Sequence, residues 1–108
     1  MDQESQGDRE PNPDLDWYRN TGHLVLGGHL GDVPTTVLIT PYAQEWMTLR
    51  DIDPKEVLEV LARPRSTHGS GRILGRREVA GDTDRGHIRV VYKPLTSKVV
   101  LVITVHSE

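Results

Sequence analysis

Four side chains near the end of the chain have the chemistry to handle a phosphodiester. "GHIRVVYK" carries His87 and Arg89, and "VITVHS" carries Thr104 and His106. RNA cleavage without a metal needs a base to take the 2′-OH proton, an acid to protonate the leaving 5′-oxygen, and cations to stabilise the phosphorane. Histidine suits either proton transfer because its unperturbed pKa is about 6.5. Arginine suits the phosphate because its fork binds oxygens bidentately and stays charged. A sheet needs none of these side chains to fold. They therefore mark a solvated face, an RNA-cleaving site or a binding surface for a partner.

The surrounding charge favours a polyanion. Residues 63–98 hold Arg63, Arg65, Arg72, Arg76, Arg77, Arg85, Arg89, Lys93 and Lys98 against Glu78, Asp82 and Asp84, a net charge of +6 within a chain of formal net charge −3. Arg72, Arg76, Arg85 and Lys93 are the expected RNA-binding residues. The opposite charge lies in residues 1–16, where Asp2, Glu4, Asp8, Glu10, Asp14 and Asp16 face Arg9, a net charge of −5. That segment has little to bury and reads as a disordered acidic tail. It can act as a solubiliser or shield the basic face.

Other chemistries are poorly supported. With no cysteine among the 108 residues there is neither a disulfide nor a thiolate nucleophile or ligand. His23 and His29 stand six apart across a Gly-Gly pair without matching carboxylates, so no metal site is expected. "GSGR" and "LGG" lack the context of a nucleotide loop. No cofactor is expected. No apolar run approaches the roughly 18 residues of a membrane span, and the polar N-terminus is not a secretory signal. The expectation is a cytoplasmic protein without membrane contact.

The elements that must position these residues form one α+β domain over 17–108. His23–Leu26 and Thr35–Ile39 read as short strands separated by glycines. Thr40 caps a helix over 41–51 that opens on Pro41, with Ala43, Trp46 and Met47 as its apolar stripe and Arg50 near its C-terminus. Asp53, Pro54 and Glu56 predict a second helix over 54–63, opened by a capping box and stopped before Pro64. "RSTHGSG", with His68, reads as a loop. Gly71–Val79 reads as a strand, "AGDTDRG" as a turn, and 87–93 and 98–106 as a hairpin turning at "PLTS".

Strand parity then sorts the hairpin. Ile88, Val90 and Tyr92 share one face with the wholly apolar set Val99, Leu101, Ile103 and Val105. His87, Arg89, Val91 and Lys93 share the other with Val100, Val102, Thr104 and His106. Pairing Lys93 with Lys98 sets His87 opposite Thr104, Arg89 opposite Val102 and Arg85 opposite His106. A slip of two residues keeps the faces and changes the partners.

The order "ITPYAQEWMTLRDIDPKEVLEVLARP", "GRILGRREV", "HIRVVYKP", "VVLVITVH", over about residues 37–106, resembles the family called domain of unknown function 4258. Arg50 and Ile52 match the family's Arg-Gly-Ile turn with Asp51 replacing Gly. Thr104 and Val105 match its final motif, with His106 at the aromatic position. Tyr42 stands where the family usually has His. The family in turn is similar in pattern to RelE-like and colicin-like bacterial RNase toxins. That resemblance implies two helices packed on a small antiparallel sheet whose open face holds the active site. It implies a toxin-type ribonuclease, with RNA as substrate and a cognate antitoxin or immunity protein as partner. The missing helix histidine points to His87 or His106 in its place, or to a non-catalytic protein- or nucleic-acid-binding module of the same fold.

Overall fold

The structure, a computed structural model, describes residues 13–69 and 75–107, with the main chain alone at 68 and 69. The elements are α1 (Leu15–Asn20), β1 (Leu24–Leu30), β2 (Val33–Ile39), α2 (Pro41–Arg50), α3 (Pro54–Ala62), β3 (Ser66–Gly69), β4 (Arg77–Thr83), β5 (Gly86–Thr96) and β6 (Val99–Ser107). The class is α+β, as expected, with three described helices rather than two. Residues 1–12 of the expected tail lie outside the described residues. Leu15 and Asp16 belong to α1, whose N-cap Asp14 accepts the Trp17 N–H at 3.1 Å. Among the described residues no helix is long and apolar enough to cross a membrane.

The six strands form one sheet in the order β1-β2-β6-β5-β4-β3. The sheet is mixed, which corrects the expectation of an antiparallel one: β2 runs parallel to β6, and every other pair is antiparallel. A parallel pair needs a long crossover, and α2, α3 and three strands supply it. Val37, Leu38 and Ile39 are fully buried. Their continuous apolar run marks a central strand rather than an edge.

The helix signals act as the residue types predict. Thr40 Oγ1 accepts the Ala43 N–H at 3.0 Å. α2 stops because Asp51 takes a left-handed φ of 57°, letting the Ile52 N–H reach the Met47 carbonyl at 2.8 Å. Glu56 Oε1 accepts the Asp53 N–H at 2.9 Å, the reciprocal half of the capping box. Ala43 and Met47 of α2, and Val57, Val60 and Leu61 of α3, join Val37, Ile39, Ile88, Val90, Tyr92, Val100, Val102 and Val105 in the core.

Several strand boundaries differ from the reading above. β1 continues through Gly27 and Gly28. "STHG" is not loop but the edge strand β3, paired with Arg77–Ala80; it lacks apolar alternation because it is short and peripheral. β4 extends to Thr83, leaving only Asp84 and Arg85 as the turn. The β5–β6 turn is Ser97-Lys98, closed by Thr96 opposite Val99, and not "PLTS".

The largest correction concerns β6. Val91 pairs with Thr104 but Tyr92 with Val102, so Ile103 is an extra residue in a bulge. One added residue inverts parity. Val100 and Val102 therefore join Val105 on the helix side, and Leu101 pairs with Lys93 on the other side. The strictly alternating set Val99, Leu101, Ile103 and Val105 does not share a face.

Candidate functional site

Burial of Ile88, Val90 and Tyr92 against the helices turns His87, Arg89 and Val91 to the opposite face of the sheet. On β6, Thr104 and His106 flank buried Val105 and face the same way. His87, Arg89, Thr104 and His106 thus share one face, and each is half-buried. Their partners differ from those the assumed turn gave. Arg89 stands directly opposite His106, and Val91 opposite Thr104. The two-residue turn and the bulge shift the pairing by four residues at this end, an even number, so the faces survive.

His87 is tied on the β4 side. Its Nδ1 lies 2.8 Å from Asp82 Oδ1, and the register sets the two residues opposite each other. Arg65 Nη1 meets the other carboxylate oxygen at 2.6 Å. The His87 hydrogen bond first, and the Arg65 hydrogen bond second, hold the Asp82 carboxyl below its ordinary pKa. With Nδ1–H donated to Asp82, Nε2 becomes the basic nitrogen of His87. Asp82 and Arg65 were not singled out from the sequence. The available signal was the tight Asp84-Arg85 turn, which sets Thr83 opposite Gly86 and Asp82 opposite His87.

The expected RNA-binding residues scatter. Lys93 shares the site face, exposed, beyond Val91. Arg76 precedes β4 and is half-buried. Arg72 lies outside the described residues. Arg85 is not opposite His106. Its guanidinium bonds Asp51 and lies 3.8 Å from Asp53, joining the β4–β5 turn to the α2–α3 turn. Glu56 reinforces that junction: its buried Oε2 accepts the Thr83 hydroxyl at 2.7 Å. A cleft of about 150 Å³ opens there, with Arg50, Glu56, Arg85 and His87 on its walls.

The helix side chains also sort themselves. Tyr92 is buried, as parity required, and burial pushes its hydroxyl pKa up. Trp46 is only half-buried, because α2 turns it away from Ala43 and Met47. The Arg50 guanidinium carbon sits 4.5 Å from the centre of its ring, and Tyr42 meets it edge-on at 6.1 Å. Tyr42 is 56% exposed on that helix surface.

Comparison with protein-family models, with curated proteins and with solved structures finds no match to this chain. The chemistry of this face is accordingly read from its own residues.

Proposed function

We propose that the face formed by β4, β5 and β6 is the active face of a small, metal-independent endoribonuclease of the toxin type. One observation carries the reading: His106 stands directly across from Arg89, and His87, held by Asp82, stands two residues along on the same face. Arg89 binds the scissile phosphate. His87 takes the 2′-OH proton through Nε2, and His106 protonates the leaving 5′-oxygen. Thr104, diagonal to Arg89, orients the phosphate or the 2′-OH. Asp82 fixes the His87 tautomer and stabilises the imidazolium that forms. Lys93 extends the positive surface along the RNA backbone.

The test is incubation of the purified chain with total cellular RNA, with and without EDTA, followed by end-group analysis. Cleavage that persists in EDTA and leaves 2′,3′-cyclic phosphate ends is the expected result. His87→Ala and His106→Ala each reduce the rate by about 10²–10⁴-fold, the usual contribution of a general acid or base. Intact RNA after hours at micromolar protein refutes the enzyme.

A binding module is the second reading, and α2 favours it. Tyr42, 56% exposed, forms with Trp46 and Arg50 a surface of the residue types that dominate protein interfaces, and Leu49, 75% exposed, adds apolar area beside it. Under this reading a protein partner, such as an antitoxin or immunity protein, seats on α2. Binding without cleavage, lost on Trp46→Ala, distinguishes it.

A further inference from the structure

β1 is one edge of the sheet, and the direction of its main-chain groups follows from its neighbour. The Thr36 N–H bonds the Lys98 carbonyl at 2.8 Å, and the Thr40 N–H bonds the Val102 carbonyl at 3.1 Å. The even-numbered residues of β2 therefore turn their polar groups toward β6. Pro34, in the same set, has no N–H to give. Across the hairpin, Leu38, Thr36 and Pro34 stand opposite Val25, Gly27 and His29. Residues directly opposite in an antiparallel ladder either both bond across it or both turn away. Val25, Gly27 and His29 thus aim their N–H and C=O groups at the free edge.

Among the described residues this edge lacks the sequence guards of charge, proline and bulge. "LVLGGHL" has no lysine, no other charged side chain and no proline, and its pairing with β2 runs without a bulge from Leu24 to Leu30. The opposite edge, β3, is four residues long. Leu24, Leu26 and Leu30 are only partly buried where they pack against the core.

We propose that β1 is a self-association edge: two copies of the chain pair through β1, antiparallel, about a two-fold axis at Gly27. The outward-facing main-chain groups of β1, at Val25, Gly27 and His29, lie symmetrically about that residue. Val25 meets His29 of the second copy, Gly27 meets Gly27, and every outward main-chain group meets another outward group. On the helix side, Leu24 of one copy stands beside Leu30 of the other, closing apolar surface that a single copy leaves partly exposed. No like charges meet. Self-pairing in this register joins apolar side chains across the seam and opposes no charges, and that complementarity favours a second copy as the occupant. The proposal is independent of the ribonuclease reading.

Sedimentation velocity of the full chain, from micromolar to millimolar concentration, reads the association directly. A Cβ at Gly27 meets nothing within 4 Å, so Gly27→Lys leaves the monomer undisturbed while setting two lysines face to face at the axis. It weakens dimerisation by about tenfold or more, with the circular dichroism unchanged. Gly27→Cys supplies an orthogonal test, because the chain has no other cysteine. Hydrogen-bonded antiparallel pairs have Cα atoms about 5.5 Å apart, within disulfide range. Oxidation crosslinks this variant to a dimer and leaves Lys98→Cys, in the β5–β6 turn, uncrosslinked. A chain that stays monomeric to millimolar concentration overturns the proposal. So does a dimer indifferent to Gly27→Lys, whose contact must then lie on another surface.

Discussion

Glu56 is the side chain whose loss most directly tests how the site is held in place. It is buried, yet both carboxylate oxygens are engaged: Oε1 accepts the Asp53 N–H at 2.9 Å and Oε2 the Thr83 hydroxyl at 2.7 Å. The first bond starts α3, and the second pins the end of β4 one turn before His87. Hydrogen bonds to charged groups contribute about 1.5–3 kcal/mol each, and removing the buried charge returns part of its desolvation cost. Glu56→Ala is therefore expected to cost about 2–3 kcal/mol. At roughly 4–8 °C per kcal/mol for a domain of this size, the melting temperature falls by about 10–20 °C. Glu56→Gln retains an acceptor at Oε1 and costs about 1 kcal/mol. Urea unfolding of Glu56→Ala, Thr83→Val and the double variant gives the coupling between the two residues. A coupling of about 1–2 kcal/mol is expected for directly bonded neighbours. An alanine variant within about 0.5 kcal/mol of wild type, or strictly additive single changes, refutes the reasoning.

Two further outcomes follow from the same geometry. Asp82 has its folded pKa lowered by His87 and Arg65, so its contribution is present above the ordinary value of 3.8 and is lost as pH falls through the lower folded value; Asp82→Asn should flatten the acid limb of a stability–pH curve and, under the proposed ribonuclease reading, slow cleavage by weakening the hold on the His87 ring. Val102→Ala, at a fully buried position, should cost about 2–3 kcal/mol, whereas Ile103→Ala at the half-buried bulge should cost less than about 1 kcal/mol; denaturant midpoints in the reverse order show that the bulge is misplaced.

The legible parts of the fold were those where one residue type has one physical use. Thr40-Pro41 and Asp53-Pro54-x-Glu56 open helices because the side chains satisfy orphan N–H groups and proline tolerates the first turn. The common face of His87, Arg89, Thr104 and His106 was also legible, since parity survives any even shift. What failed depended on distant pairing. Nothing local in "VITVH" announces a bulge at Ile103, and nothing in "VLIT" says that Val37–Ile39 will lie parallel to residues 100–102. β3 and α1 are short elements whose apolar content is too small to declare a period. Asp82 was hidden by a turn drawn too wide. The assumed Lys93–Lys98 pairing puts Arg85 opposite His106, but two aspartates at the α2–α3 turn hold it.

The position of β6 bears on how the chain reaches this structure during synthesis. β6 is the latest of the strands in sequence, yet it lies between β2 and β5 in the sheet. Until residues 99–107 have left the ribosome, the β1–β2 hairpin and the β3–β4–β5 meander have no strand to join them. Each exposes an inner edge of main-chain donors and acceptors beside apolar side chains. The helices can form early on local contacts, but the sheet can close only in one late step. That step joins β2 to residues about sixty positions away, a separation that slows folding by the entropy of bringing distant segments together. For that interval the nascent chain carries unpaired strand edges beside apolar surface, the condition that favours misassembly.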